Sequence, residues 1–314
     1  MNKLDDSWII SNRGRKNTVN PFLPHAYHVE KEYFSEGIVE EVATIFLTNK
    51  ECPFHCLMCD LWKNTTDYKV AIGAIPQQIS WALQRLPETK HLKLYNSGNF
   101  FDAKAIPYTD YDAIASLMAA FETLIIECHP KFINKRCLKF NLNIKPRLQV
   151  AIGLETVHTG ILPLLNKKMT LIDFQNSVYL LKENDIEVRT FILLGLPFLS
   201  IDESIHWAKK SLAFALGSGS DCCVIIPTRS GNGTMDELNK KNFFSEQNIP
   251  SLEEVLEFGL QLNKGKVFAD LWDLEHFSTC ITCFEARKSR LQEMNLTQRT
   301  APPVNCDCHF SRGS

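Results

Sequence analysis

Short apolar segments alternate with longer segments of helical periodicity through most of this chain. In the apolar segments Ile, Val, Leu and Phe predominate, which is the composition of strands buried on both faces. The predicted strands cover residues 42–48, 91–96, 123–128, 148–153, 187–194 and 222–227. The predicted helices cover residues 76–86, 108–121, 171–184, 201–215 and 252–262. The pattern therefore predicts an α/β fold.

The strict alternation of strand and helix predicts parallel strands joined by right-handed crossovers. Six units are fewer than the eight of a closed barrel. We assign residues 38–264 to this repeating part and residues 1–37, which are mixed and polar, to an N-terminal extension. Residues 265–314 contain four cysteines and little periodicity, so we expect them to form a separate C-terminal element.

Charge and composition exclude some classes of protein. The net charge is -2, so no global basic field indicates a nucleic-acid partner. No apolar run reaches the length of a membrane span, and the first residues are polar. Eleven cysteines in such a chain indicate a reducing compartment with metal-bound thiolates. We therefore expect a cytoplasmic protein without a membrane partner.

Three cysteines form the most informative motif, with Cys52, Cys56 and Cys59 in one run of eight residues. Three thiolates on one loop are able to bind three irons of a [4Fe–4S] cluster, which leaves the fourth iron without a protein ligand. An open position of this kind is typical of catalytic metal sites. A structural zinc site needs a fourth ligand, and His55 lies between the thiolates, where its geometry is poor. A disulfide framework is typical of short secreted chains instead.

This triplet closely resembles that of the radical S-adenosylmethionine (radical SAM) enzymes. The resemblance implies the open six-unit barrel of that superfamily, a partial (β/α)6 TIM-like barrel, which agrees with the pattern. It also implies a [4Fe–4S] cluster whose free iron binds the amine and carboxylate of S-adenosylmethionine. One electron, from a reductase partner of the flavodoxin or ferredoxin type, would cleave that cofactor to a deoxyadenosyl radical.

Further segments narrow the resemblance to the branch of the elongator catalytic subunit and the tRNA-modifying radical enzymes. They are Glu127-x-His129-Pro130, Gly153-Leu154-Glu155-Thr156, Leu165-Asn166-Lys167, Leu194-Gly195-Leu196-Pro197-Phe198 and Gly231-Asn232-Gly233. Within this branch the chain most resembles the archaeosine radical SAM lyases, which cleave a lysine adduct on a deazaguanine base of tRNA. The resemblance implies a tRNA partner.

The resemblance also assigns cofactor-binding residues to loops that follow the strands, where active sites of parallel barrels lie. Asn96, Ser97 and Gly98 occupy the place of a glycine-rich motif that binds the cofactor ammonium, although the usual carboxylate at its third position is missing. Glu155 corresponds to a carboxylate that binds the ribose or the amine. Gly195 lies in the segment whose backbone contacts adenine.

Two charged residues are candidates for catalysis. Arg189 lies among apolar residues and must be buried or point into the barrel, so it needs a carboxylate partner. That carboxylate belongs either to the cofactor or substrate, which would make Arg189 cofactor-binding, or to a structural ion pair. Glu127 ends the third predicted strand and either faces the substrate or precedes a simple turn.

Four cysteines near the C-terminus predict a second metal site. Cys280 and Cys283 are separated by two residues, and Cys306 and Cys308 by one. Four thiolates suit a structural zinc ion or an auxiliary iron–sulfur cluster, and the spacing does not separate the two.

Taken together, these motifs predict a radical SAM enzyme, a lyase or a transferase, that modifies a tRNA base. Six positive charges without an acidic residue, between Lys131 and Arg147, are able to contact a phosphate backbone or form a solvated face. The near-neutral net charge supports an alternative, a small-molecule or peptide substrate. An alternative of another class is a non-catalytic zinc-binding scaffold protein.

Overall fold

The computed structural model describes residues 4–306 and residue 308, and in this part of the chain eight strands form one curled sheet in chain order. The strands are β1 (Ala26–Ser35), β2 (Ile38–Phe46), β3 (His91–Tyr95), β4 (Thr123–Glu127), β5 (Arg147–Glu155), β6 (Glu187–Leu194), β7 (Cys222–Pro227) and β8 (Lys266–Ala269). β1 is antiparallel to β2, and every later pair of neighbours is parallel. The predicted α/β partial barrel is confirmed.

The helices are α1 (Asp6–Asn12), α2 (Ala74–Leu83), α3 (Tyr111–Leu117), α4 (Lys135–Asn143), α5 (Ile161–Leu164), α6 (Leu171–Lys182), α7 (Ile201–Gly217), α8 (Thr234–Lys240), α9 (Ile249–Gln261) and α10 (Ile281–Thr297). Helices α2 to α9 connect the parallel strands, whereas α1 precedes the sheet and α10 follows it. α7 begins where the sequence predicts it, because Ser200 and Glu203 form a capping box. None of the helices in the described residues combines the length and apolar character needed to cross a bilayer.

The sheet is larger than the six predicted units. β1 lies in the segment predicted as an extension, and β8 lies beyond residue 264. The sequence after that residue has little periodicity, yet it forms α10, a helix of 17 residues. Its buried face includes Arg287 and Arg290, and these charges conceal the apolar period. The division of the chain into three segments remains a prediction, although both terminal segments add a strand to the same sheet.

The inner face of the barrel near the start of the parallel strands is filled by charged side chains. Arg189 pairs with Glu32, and its Nε donates to the Gln149 side-chain oxygen at 2.7 Å. Lys93 Nζ lies 2.6 Å from Glu32 Oε2. Burial opposes the ionisation of Glu32, but the charges of Arg189 and Lys93 outweigh it and hold its pKa well below the usual range. We call Glu32, Lys93, Gln149 and Arg189 the charged lattice; it spans the lower part of the barrel, near the start of the parallel strands.

Candidate functional site

The triplet loop, residues 52–59, lies at the carboxyl end of β2. Side chains from other loops hold its backbone carbonyls. The Asn166 amide donates to the His55 carbonyl at 2.8 Å, and the Asn232 amide donates to the Leu57 carbonyl at 2.9 Å. These bonds come from residues more than 100 positions later in the chain, so tertiary structure fixes the path of the triplet loop.

Helix α1 covers the triplet loop on its outer side. Ile9 is fully buried in an apolar cluster that also contains Leu57 of the loop. A side chain at Gly233 would place its Cβ only 1.9 Å from the Asn12 carbonyl oxygen, so α1 sits directly against the loop before α8. This contact buries Leu57 of the triplet loop.

The three thiols of the triplet are protonated in the absence of metal. Burial raises the pKa of Cys52 to about 11 and the pKa values of Cys56 and Cys59 to about 12. The nearby Lys167 ammonium partly counteracts burial at Cys52 and Cys56. A metal centre would therefore have to displace these protons, as thiolate ligation requires.

The predicted cofactor loop Asn96–Gly98 is brought against the triplet. A Cβ at Gly98 would lie 3.4 Å from the Cys52 Cβ. Asn96 is completely buried, yet neither its amide nitrogen nor its amide oxygen has a hydrogen-bond partner. An unpaired buried amide is rare in folded proteins and is expected where a bound group supplies the partner.

Glu127 holds this loop from the neighbouring strand. Its Oε1 accepts hydrogen bonds from the backbone N–H groups of Asn96 at 2.7 Å and Gly98 at 3.2 Å. Burial raises the pKa of Glu127 to about 7, and the backbone donors of Gly98 and Asn96 limit the rise. A carboxyl group with this pKa is able to exchange a proton near neutral pH.

Glu155 forms a buried ion pair beside the triplet. Its Oε1 lies 2.5 Å from Lys167 Nζ, and its φ of +65° belongs to the left-handed region. Burial lowers the pKa of Lys167, but the Glu155 carboxylate and the Cys56 sulfur outweigh it, and the pKa is raised overall. A strained backbone that directs a charged pair towards a loop of thiols is typical of a functional site.

Gly153 makes room for this pair, and its replacement by Ala is expected to displace it. An added Cβ would lie 2.1 Å from Glu155 Oε1 and 2.6 Å from Lys167 Nζ. We expect Gly153→Ala to lower the free energy of unfolding by about 2 kcal/mol, because overpacking a buried site costs energy. Chemical denaturation followed by circular dichroism measures the change. Gly217→Ala is the control, since nothing lies within 4 Å of its Cβ position. Equal stabilities of the two variants would contradict the tight fit at Gly153.

Gly195 and Arg189 lie on the same strand segment but at opposite levels of the barrel. Gly195, at φ +88°, donates its N–H to the Ser204 hydroxyl at 2.7 Å at the upper end. Arg189 lies six residues earlier, about 20 Å lower along the strand. The structure does not bring Arg189 to the triplet, and its pairing with Glu32 favours the structural ion pair. Its cofactor and catalytic roles remain predictions.

The four C-terminal cysteines come together in one site. The Sγ atoms of Cys280 and Cys306 are 3.8 Å apart, those of Cys283 and Cys308 are 3.6 Å apart, and all four lie within 4.8 Å of one another. A tetrahedral ion with metal–sulfur bonds of about 2.3 Å separates its sulfurs by about 3.8 Å. The spacing therefore fits a single tetrahedral ion.

The C-terminal thiol site is linked to the barrel by charged groups. Cys280 directly precedes α10, and the backbone N–H groups of Cys283 and Thr282 lower its pKa to about 6. Arg287 Nε lies 3.3 Å from Cys283 Sγ, and the same guanidinium pairs with Glu253 of α9. A metal at the four thiols would fasten the segment after α10 to the start of α10, and Arg287 links this site to α9.

Sequence reasoning missed several amides that organise the upper site. Asn99 donates to Cys52 Sγ at 3.2 Å, and its oxygen accepts the His129 backbone N–H at 2.7 Å. Asn166 and Asn232 hold the triplet loop, and Lys167 pairs with Glu155. These three amides and the lysine follow predicted strands or belong to motifs quoted for the resemblance. The sequence therefore indicated their positions but not their partners.

No family model matches this chain. An uncharacterized protein of Methanocaldococcus jannaschii is 22% identical over 308 residues, which cover 91% of this chain and 84% of that protein. Archaeosine synthase subunit beta of Thermococcus kodakarensis is 26% identical over 166 residues, which cover 50% of this chain and 51% of that protein. The chain thus matches only about half the length of the second relative.

Solved structures share the fold. Elp3 of Methanocaldococcus infernus, with an N-terminal deletion, has a TM-score of 0.51 at 17% identity and covers 70% of this chain and 58% of its own. Coproporphyrinogen III oxidase of Escherichia coli, a radical SAM enzyme, has a TM-score of 0.50 at 12% identity and covers 70% and 52%. At these identities the likeness establishes the fold, and the predicted resemblance is confirmed at that level.

Proposed function

We propose that this chain, which has the fold of the radical SAM enzymes, binds a [4Fe–4S] cluster at Cys52, Cys56 and Cys59 and reductively cleaves S-adenosylmethionine. The observation that carries the proposal is the contact between the triplet loop and the Asn96–Gly98 loop at the carboxyl end of the strands. When bound, the cluster supplies the electron that converts S-adenosylmethionine to a deoxyadenosyl radical able to remove a hydrogen atom from a substrate.

The donor set supports this assignment. The triplet offers three cysteines, but in the described residues their sulfurs, alone or with another ligand, do not form a compact set within 4.8 Å of one another. A single structural ion would require such a set, whereas a four-iron cluster with an open iron would not. The Lys167 ammonium favours thiolates at Cys52 and Cys56, and the Glu155 carboxylate offsets part of this effect at Cys56.

The neighbouring residues have complementary roles. The unpaired Asn96 amide is placed to bind the polar amino-acid end of the cofactor. The left-handed turn at Gly195 lies at the end of β6, where the resemblance places adenine. Helix α1 packs against the triplet loop through Ile9 and Leu57. The electron must come from a separate donor, for which a flavodoxin or a ferredoxin is suited.

Cleavage of S-adenosylmethionine without substrate is the direct test. We expect anaerobically reconstituted protein, reduced with dithionite, to form deoxyadenosine slowly but in a catalytic amount. Chromatography of the quenched reaction measures the product, and protein without reductant is the control. A fully clustered, brown sample that leaves S-adenosylmethionine intact would reject the enzymatic function. A colourless sample that binds only zinc would favour the scaffold alternative.

For the substrate we propose a base of tRNA. The support is the half-length similarity to archaeosine synthase subunit beta and the fold shared with Elp3. Exposed basic residues of the α4 region, including Lys131, Lys135 and Arg136, provide a contact for phosphates. Electrophoretic shift with bulk tRNA at several salt concentrations tests this, because phosphate contacts weaken steeply with salt. Absence of a salt-dependent shift would favour the small-molecule or peptide alternative, which the net charge of -2 supports.

A further inference from the structure

Aromatic residues line the inner face of the upper barrel. In the parallel register Phe46 of β2 pairs with Tyr95 of β3, so both project from the same face of the sheet. Their neighbours Ile45 and Leu94 project from the other face and are completely buried in the core beneath the helices. Phe46 and Tyr95 are only half-buried, although they lie on inner strands of the sheet. Their exposed surface therefore faces the space inside the barrel.

These rings belong to a continuous row. The ring centroids of Phe46 and Tyr95 are 6.0 Å apart, and those of Tyr95 and Phe191 of β6 are 6.3 Å apart. On the other side His28 of β1 lies 5.7 Å from Phe46 and 6.0 Å from Trp272. We call these five residues the aromatic band. It begins at the side of the barrel, where Trp272 is 62% exposed, and extends inward to Phe191.

The aromatic band lies between the charged lattice and the proposed site of radical formation. Lys93 of the lattice lies two positions before Tyr95, and Arg189 lies two positions before Phe191. Each charged residue is therefore one step lower on the same face of its strand as the aromatic ring. Above the band, the Asn96–Gly98 loop follows Tyr95 directly. A group that rests on the band therefore lies directly below the cofactor loop and cannot sink further into the barrel.

The geometry of the rings leaves π-faces available. Phe46 and Tyr95 meet at 61°, and Tyr95 and Phe191 meet at 80°, so each pair is edge to face. A flat ring is able to stack on a face that the neighbouring ring does not cover. Glu127 is the last residue of β4, the strand beside β3. It follows Ile126, which pairs with Leu94, so Glu127 lies at the level of Tyr95 and offers a polar partner there.

We propose, on the basis of the function above, that the substrate group held in the barrel is a planar heteroaromatic ring stacked on the aromatic band. The Glu127 carboxyl group makes a hydrogen bond with a ring N–H or ring nitrogen. Trp272 at the exposed end forms the entrance. Two sources share this chemistry, a nucleobase and an aromatic amino-acid side chain. Stacking on aromatic residues accommodates either, because both present a π-face.

Binding measured without turnover tests the inference separately from catalysis. Reconstituted protein with S-adenosylmethionine, kept anaerobic and without reductant, is titrated by calorimetry with guanosine, with N-acetyltryptophanamide and with ribose as a non-aromatic control. We expect one aromatic probe to bind and ribose not to bind. Phe191→Leu should weaken binding of that probe at least about fivefold, the range of one lost stacking contact.

Two further variants separate stacking from general damage. Phe191→Tyr keeps the ring and should retain the affinity of the parent protein. Tyr27→Leu removes a ring from the opposite face of β1, where it meets Trp81 at 5.6 Å, and should leave binding unchanged. Binding of guanosine alone would assign the site to nucleobases, and binding of the tryptophan amide alone would assign it to aromatic side chains.

Two outcomes would overturn the inference. One is that no aromatic probe binds although the same sample cleaves S-adenosylmethionine after reduction, and that result leaves the proposed function intact. The other is that a probe binds equally well to Phe191→Leu and to the parent protein. Ring binding that follows the band residues in a sample unable to cleave S-adenosylmethionine would instead reject the proposed function and keep the band as a binding site.

Discussion

Replacement of Cys52, Cys56 and Cys59 together by Ala is expected to remove the cluster and to abolish cleavage of S-adenosylmethionine. The variant loses all three proposed cluster ligands at once, so residues 52–59 retain no thiol to bind iron. Iron and sulfide per chain, measured after anaerobic reconstitution, should fall by about four of each, since the triplet spacing suits a [4Fe–4S] cluster. Deoxyadenosine formation should fall below detection.

The control for this prediction is Cys137→Ala. Cys137 is completely buried in α4 among apolar residues, away from both cysteine sites, and its thiol serves packing alone. This variant should keep its iron and sulfide. Circular dichroism of the triple variant should match that of the parent protein, because α1 and the amides of other loops also hold the triplet loop. Iron content equal to the parent value in the folded triple variant would place the cluster elsewhere and reject the site.

The central strands could be predicted because a short run of consecutive apolar residues indicates a buried strand. β6 and β7 have the predicted bounds, and β7 and the second half of β6 are apolar throughout. The converging carboxyl ends of parallel strands then allowed the triplet and the loop Asn96–Gly98 to be placed at one site. This reasoning requires only the order of elements, which the local pattern supplies.

β1 and α10 could not be predicted in the same way, because their burial depends on distant charges. Glu32 of β1 is buried only because Arg189 and Lys93 neutralise it, and these residues are 157 and 61 positions away. Arg287 and Arg290 of α10 are likewise buried against acidic residues of α9. A charged residue in the sequence indicates a solvated face until its partner is known.

The same limit applied to the site. The sequence singled out Glu155 but gave no reason to pair it with Lys167, which lies 12 positions later beyond an intervening helix. It left Arg189 open between a ligand and an ion pair, and only the fold of β1 across the barrel supplied Glu32. Residue type and order therefore locate a site, whereas tertiary partners decide what each charged group does there.

Replacement of Cys280 and Cys283 together by Ser is expected to remove a single metal ion while leaving some cleavage of S-adenosylmethionine. The sulfur separations of 3.6 and 3.8 Å fit one tetrahedral ion, and a closed site of four thiolates leaves no position for substrate. We expect zinc, measured by mass spectrometry of the purified protein, to fall from about one ion per chain to less than about a tenth. The thermal midpoint should fall by about 5 °C or more, because metal binding contributes to folding.

The structural role follows from what the C-terminal thiol site holds together. α10 packs against β1 and β8, and Arg287 joins the thiol of Cys283 to Glu253 of α9, so loss of the ion loosens both edges of the sheet without touching the triplet loop. Thr282→Ser is the matched control, since Thr282 is exposed between the two cysteines and should keep metal and midpoint. Metal analysis and deoxyadenosine yield are measured on the same soluble sample. Complete loss of cleavage with the first cluster intact would mean that this site takes part in electron transfer or substrate binding, and the structural assignment would be wrong.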